Sequence, residues 1–90
     1  MKTEIKEITP DLAFEMLKSN TLNRPLKKSL IEYYASQMKS GQWRLTGQGI
    51  SISDANELID GQHRLAAIVK SKTTQKMLII HNLDFHEVYS

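Results

Sequence analysis

The spacing of apolar positions changes several times along the chain, and each change marks an element. Residues 3–8 set Ile5 and Ile8 among charged positions in imperfect alternation and predict a short first strand. Leu12, Ala13, Met16 and Leu17 then recur at helical spacing behind Thr9-Pro10-Asp11. Thr9 can cap that helix, Pro10 suits its first position, and Asp11 complements the positive end of its dipole. The polar stretch 19–25 ends at Pro25, which bars continuous helix through it. Leu26, Leu30, Ile31, Tyr34, Ala35 and Met38 predict the strongest helix of the chain, closed at Ser40-Gly41 with Gly41 suited to a left-handed cap. Ile50 and Ile52 alternate with serines as a strand, and Asn56 tolerates positive φ in the turn that follows. Residues 57–60 return as the second arm of a hairpin. Gly61 breaks that arm, and 62–72 predict a helix with Leu65, Ile68 and Val69 inward. Met77-Leu78-Ile79-Ile80 predicts a buried strand, and Asp84 is placed to cap a final helical turn through Ser90. The order β-α-α-β-β-α-β-(α) defines an α+β fold, a small mixed β-sheet with packed helices.

Length adds that residues 1–90 are one domain, without repeat, linker or low-complexity tract. A chain this short buries only roughly 60–65% of the surface its unfolded form exposes, so the core is modest. No cysteine is present, which excludes disulfides, thiolate metal sites and cysteine catalysis. The N-terminus lacks an apolar signal segment and no run approaches the roughly 18 apolar residues of a membrane span, so a soluble, cytoplasmic protein without membrane contact is expected.

Charge sharpens the picture more than its net value of +2 suggests. Residues 18–44 carry Lys18, Arg24, Lys27, Lys28, Lys39 and Arg44 against Glu32 alone. Residues 61–76 carry Arg64, Lys70, Lys72 and Lys76 without an acid, while 45–60 hold Asp54, Glu57 and Asp60 without a base. Two basic blocks around an acidic hairpin point to an anionic partner, with two ordinary solvated helix faces as the plainer alternative.

The densest chemistry lies at Asp60-Gly61-Gln62-His63-Arg64. A strand ending in Gly that runs directly into a helix leaves the first helical N–H groups unpaired at the positive end of the dipole. Such an end attracts phosphate, and Gly admits a ligand close to the backbone. Arg64 adds a planar charged fork, His63 a group able to move a proton near neutral pH, and Gln62 an uncharged donor and acceptor. A routine strand-to-helix turn with a solvated Arg64 explains the same residues, and physical reasoning alone leaves the two readings open.

The run Leu58-Ile59-Asp60-Gly61-Gln62-His63-Arg64-Leu65-Ala66-Ala67 resembles the signature of the ParB/sulfiredoxin-like superfamily, in particular the short DGQHR proteins of phages, plasmids and other mobile elements. Upstream, Asn23-Arg24-Pro25 followed by Tyr34, Met38, Gly41 and Trp43 resembles the stretch those proteins carry before the hairpin. The likeness covers roughly residues 8–85. It implies a phosphate- or nucleotide-binding domain in which Gly61 and Arg64 hold phosphate, Gln62 and His63 stand beside them, and Asn23 and Arg24 face the same pocket. It further implies a nucleoside triphosphate with Mg²⁺ as ligand. If the protein is an enzyme, the reaction is Mg-dependent hydrolysis of a nucleotide or phosphodiester, with His63 and Arg64 as the catalytic pair. Two departures limit the carry-over. Gln62 stands where sulfiredoxins have their catalytic cysteine, which rules out that activity, and the DNA-binding and dimerisation domains of partition proteins have no counterpart. A DNA-binding regulatory domain remains an alternative. So does a small phage protein that inhibits a host enzyme or defence complex by protein–protein contact.

Asp60 is the better candidate for Mg²⁺, because Glu57 and Asp60 on an alternating strand point to opposite faces; a cap for the following helix is its other reading. Lys27 and Lys28 open the main helix against its dipole. Trp43 reads as a core-edge aromatic ahead of a base-stacking platform. His81 and His86 lack a third ligand, and neither a zinc nor a haem site is expected.

Overall fold

A computed structural model describes residues 2–20, 25–45 and 48–83. Among them the chain forms β1 (Lys2–Ile8), α1 (Pro10–Leu17), α2 (Lys28–Lys39), β2 (Ile50–Ser53), β3 (Leu58–Asp60), α3 (Gln62–Ser71) and β4 (Gln75–Leu83). This is the α+β order expected from the sequence, as far as the described residues reach. Asn23, Arg24, His86 and the expected final turn from Asp84 to Ser90 lie outside the described residues.

The four strands form one mixed sheet in the order β1-β4-β2-β3. β1 runs antiparallel to β4, with Lys2 opposite His81 and Ile8 opposite Gln75. β2 lies parallel to β4, with Ile50 beside Ile79, and forms an antiparallel hairpin with β3. Two parallel strands need a crossover between them; here it includes α3, which packs against both α1 and α2. The core therefore sits between the helices and one face of the sheet. Ile8, Ile50, Leu58 and Ile79 meet Ala13, Ala35, Leu65 and Ile68 there, all buried.

Strand geometry separates the isoleucines of β1 and corrects the expectation of a wholly buried 77–80. Ile5 and Ile8 are three residues apart, so a period-two strand sends them to opposite faces; Ile8 is fully buried and Ile5 is 61% exposed. The run 77–80 is buried on one face only, with Met77 and Ile79 in the core and Leu78 and Ile80 half-buried on the other. A second correction concerns Leu26, which the helical spacing had placed inward. Pro25 lies just before it, α2 begins only after an extended Lys27, and Leu26 remains largely exposed.

None of the helices among the described residues is long and apolar enough to cross a membrane.

Candidate functional site

Gly61 sets the geometry of the turn. Its backbone is left-handed, with φ of 105°, and it is the N-cap of α3. A Cβ there would lie 2.8 Å from Ile50 Cγ1 and 3.1 Å from the Ile50 Cα. Glycine is thus required twice, for its dihedral and for close packing of the turn on β2. The side-chain direction of Gly61 is filled by Ile50, so any ligand approaches the turn from its other side.

The three residues after Gly61 each reach a different part of the chain. Gln62 is buried, and its Nε2 donates to Asn20 Oδ1 and to the carbonyl of Ile59, both at 3.2 Å. His63 Nε2 accepts the backbone N–H of Lys27 at 3.0 Å. Lys27 is the N-cap of α2, which has no side-chain cap, so the imidazole joins the starts of two helices. An accepting Nε2 places the proton of the neutral ring on Nδ1, which is the donor His63 has left to offer. Arg64 donates from Nη1 to the Gly49 carbonyl at 2.8 Å and from Nη2 to Gln48 Oε1 at 2.9 Å. Gly49 is itself tightly placed, since a Cβ would stand 2.8 Å from the Leu78 carbonyl. Arg64 therefore pins the entry to β2, and the bonds described use two of the five N–H groups a guanidinium carries.

Asp60 Oδ1 accepts the N–H of Gly61 at 2.9 Å. The carboxylate serves the residue before the helix and not the first helical turn, so the expected cap is displaced by one position. No side chain caps α3, and its first turn has no acid. The carbonyl of Gly61 accepts the N–H of Leu65. Among the described residues, the N–H groups of Gln62, His63 and Arg64 have no acceptor.

A cavity of about 160 Å³ lies at this end of α3, lined by Asp60, Gly61, Gln62, His63 and Arg64 together with Leu30 and Tyr34 of α2. Every candidate from 60 to 64 contributes to it. Asn23 and Arg24, the other two candidates, lie outside the described residues. Sequence reasoning missed Leu30 and Tyr34 as wall residues. Their helical spacing marked them as core, and only the packing of α2 on α3 brings them to the turn. Among the described residues no group of three His, Cys, Asp or Glu side chains could hold a metal ion.

Trp43 occupies the core edge, as its position after Gly41 suggested, with its ring edge-on to Tyr34 at 5.1 Å between centroids. His81 Nε2 lies 2.8 Å from Glu4 Oε2 across β4 and β1, a pair remote from the turn in the sheet.

No family model, no curated protein and no solved structure matches this chain. The resemblance of the turn therefore rests on its own residues.

Proposed function

We propose that the chain is a phosphate-binding domain of ParB/sulfiredoxin-like type, taking a nucleotide or other phosphate ligand at the N-terminus of α3. The observation that carries the reading is the uncapped helix start at Gly61: three consecutive N–H groups without an acceptor among the described residues, beside an arginine that is already rigidly held. Backbone N–H groups at a helix N-terminus, aided by the dipole, form a ready site for anions. Preorganised donors lose little freedom on binding, which favours affinity.

The size of the cavity narrows the ligand. Pockets that enclose a drug-sized molecule run to roughly 300–1,000 Å³, against about 160 Å³ here. That space suits one phosphoryl group, and the rest of any nucleotide must lie outside it. Asp60 supports a supporting role for Mg²⁺. Its Oδ1 is engaged by Gly61 while Oδ2 has no partner among the described residues, and Mg²⁺ is commonly held by one or two carboxylates plus phosphate oxygens. In turnover Arg64 would stabilise developing charge on the phosphoryl group. His63 would act through Nδ1–H as a donor, because its Nε2 is committed to Lys27.

Calorimetric titration with CTP, ATP, GTP and UTP, with and without Mg²⁺, tests the proposal. Binding by wild type that is lost in a folded Arg64→Ala protein supports it and justifies a hydrolysis assay. Absence of heat from every nucleotide, in protein shown by circular dichroism to be folded, sinks it. Duplex DNA titrated at two salt concentrations then tests the DNA reading, since counterion release demands affinity that falls steeply with salt.

A further inference from the structure

A second cavity of about 260 Å³ adjoins the first and shares Tyr34 and Arg64 with it. Three kinds of side chain line it. Tyr33, Tyr34 and Trp43 form a run of rings, Tyr33 to Tyr34 at 6.1 Å and Tyr34 to Trp43 at 5.1 Å. Arg44 and Arg64 supply positive charge, and Gln37, Gln42 and Gln48 supply amides. No carboxylate is among these residues. The neighbouring hollows differ: one beside Trp43 includes Glu7, and one between α2 and α3 holds Glu32 with Lys39 and Lys70 but no aromatic ring.

Tyr33 and Trp43 stand on either side of Tyr34 in this run. Tyr33 is 60% exposed on α2, with its hydroxyl accepting from Gln37 Nε2 at 3.3 Å. Trp43 has a buried indole Nε1 without a hydrogen-bond partner among the described residues. An indole offers a broader π-face than a phenylalanine at the same core-edge position. Aromatic faces beside arginine are how proteins hold unpaired bases, and side-chain amides read base edges.

We propose that this groove is the base subsite of the phosphate pocket, so that the ligand is an unpaired nucleotide with its phosphate at the start of α3 and its base against Tyr33 and Trp43. The inference rests on the phosphate reading above. Arg64, shared by both cavities and fixed by Gly49 and Gln48, stands at the junction of phosphate and base. The nucleotide can come free or as part of a single strand, and both offer the same chemistry to the groove.

Trp43 is the protein's only tryptophan, so its fluorescence reports on the surroundings of this one ring, and the Tyr33→Ala variant assigns a change to the groove rather than to the hollow beside Glu7. The test titrates the full chain with AMP, with ribose 5-phosphate and with an oligodeoxyadenylate of eight nucleotides, following Trp43 emission and, in parallel, heat. AMP is expected to quench Trp43 and to bind about tenfold or more tighter than ribose 5-phosphate, which binds without quenching. Tyr33→Ala, at an exposed position that leaves the fold intact by circular dichroism, is expected to remove that advantage and leave ribose 5-phosphate binding unchanged. Equal affinity for AMP and ribose 5-phosphate, unaltered by Tyr33→Ala, overturns the base subsite while leaving the phosphate site standing. Failure of all three ligands to bind folded protein overturns both. A quenching oligonucleotide that binds more tightly than AMP supports the subsite with a strand as its source, and AMP as the tighter ligand supports it with a free nucleotide.

Discussion

Two helices in this small protein begin in opposite ways. α1 is closed by its own sequence: Thr9 Oγ1 accepts the N–H of Leu12 at 3.1 Å, Pro10 has no N–H to satisfy, and Asp11 lies in the first turn. α3 begins on a left-handed glycine with no side-chain cap and no acid, and the nearest carboxylate, Asp60, is engaged one residue too early. The first arrangement spends its polar groups on the helix itself. The second leaves the donors of its first turn without acceptors among the described residues, while the side chains of Gln62, His63 and Arg64 are bound to Asn20 and Ile59, to the Lys27 N–H, and to Gly49 and Gln48 respectively. A helix start that is open while its surroundings are heavily braced is what the proposed phosphate site rests on. An open start with no such bracing would be mere fraying.

Substitutions can break that contrast, and the largest effect is expected at Gly61. Gly61→Ala must adopt a strained dihedral and push against Ile50, so a loss of about 2–5 kcal/mol is expected from backbone strain and overpacking together. Urea unfolding measures it; a loss below about 0.5 kcal/mol would mean that the turn is less constrained than its contact with Ile50 indicates.

Gln62→Ala comes next. It strips the Ile59 carbonyl and Asn20 of their donor at a buried position, and about 1–3 kcal/mol should be lost. The same unfolding experiment decides whether Gln62 is a brace. Unchanged stability together with lost phosphate binding would make it a ligand contact.

Thr9→Ala should cost about 1 kcal/mol, the usual value of an N-cap, and leave phosphate binding untouched. A change in phosphate affinity there would erase the distinction between the two helix starts. The smallest effect is expected for Lys70→Ala, which removes a half-exposed pair with Glu32 at 3.4 Å. A thermal melt should show a loss within about 0.5 kcal/mol. Anything larger would mark the seam between α2 and α3 as a further source of rigidity at the turn.

The contrast between the helices also explains how much could be read from the chain. The start of α1 was legible because Thr9, Pro10 and Asp11 act within one turn. The positive φ of Asn56 and Gly41 was legible for the same reason, each being a local demand on one residue. The turn at 60–64 was legible as a concentration of polar and charged side chains, and all five residues line one cavity. What its side chains touch was not, since Gln62 meets Asn20 across 42 residues and His63 meets Lys27 across 36. Those contacts exist only after α1 and α2 have packed on α3. Likewise nothing local in β1 announces β4 as its partner, and the walls that Leu30 and Tyr34 give the cavity follow from helix packing. Leu26 was misplaced because helical spacing was extended through Lys27, whose backbone is extended, so that the helix begins only at Lys28.

The most direct test of the central claim is to follow backbone amide resonances while inorganic phosphate is added to the isotope-labelled protein. If α3 begins with an anion site, the amides of Gln62, His63 and Arg64 shift saturably, while those of Asp11 and Leu12 at the capped start of α1 stay in place. Shifts of equal size at both helix starts, or shifts confined to the lysine-bearing surface of α2, would contradict it.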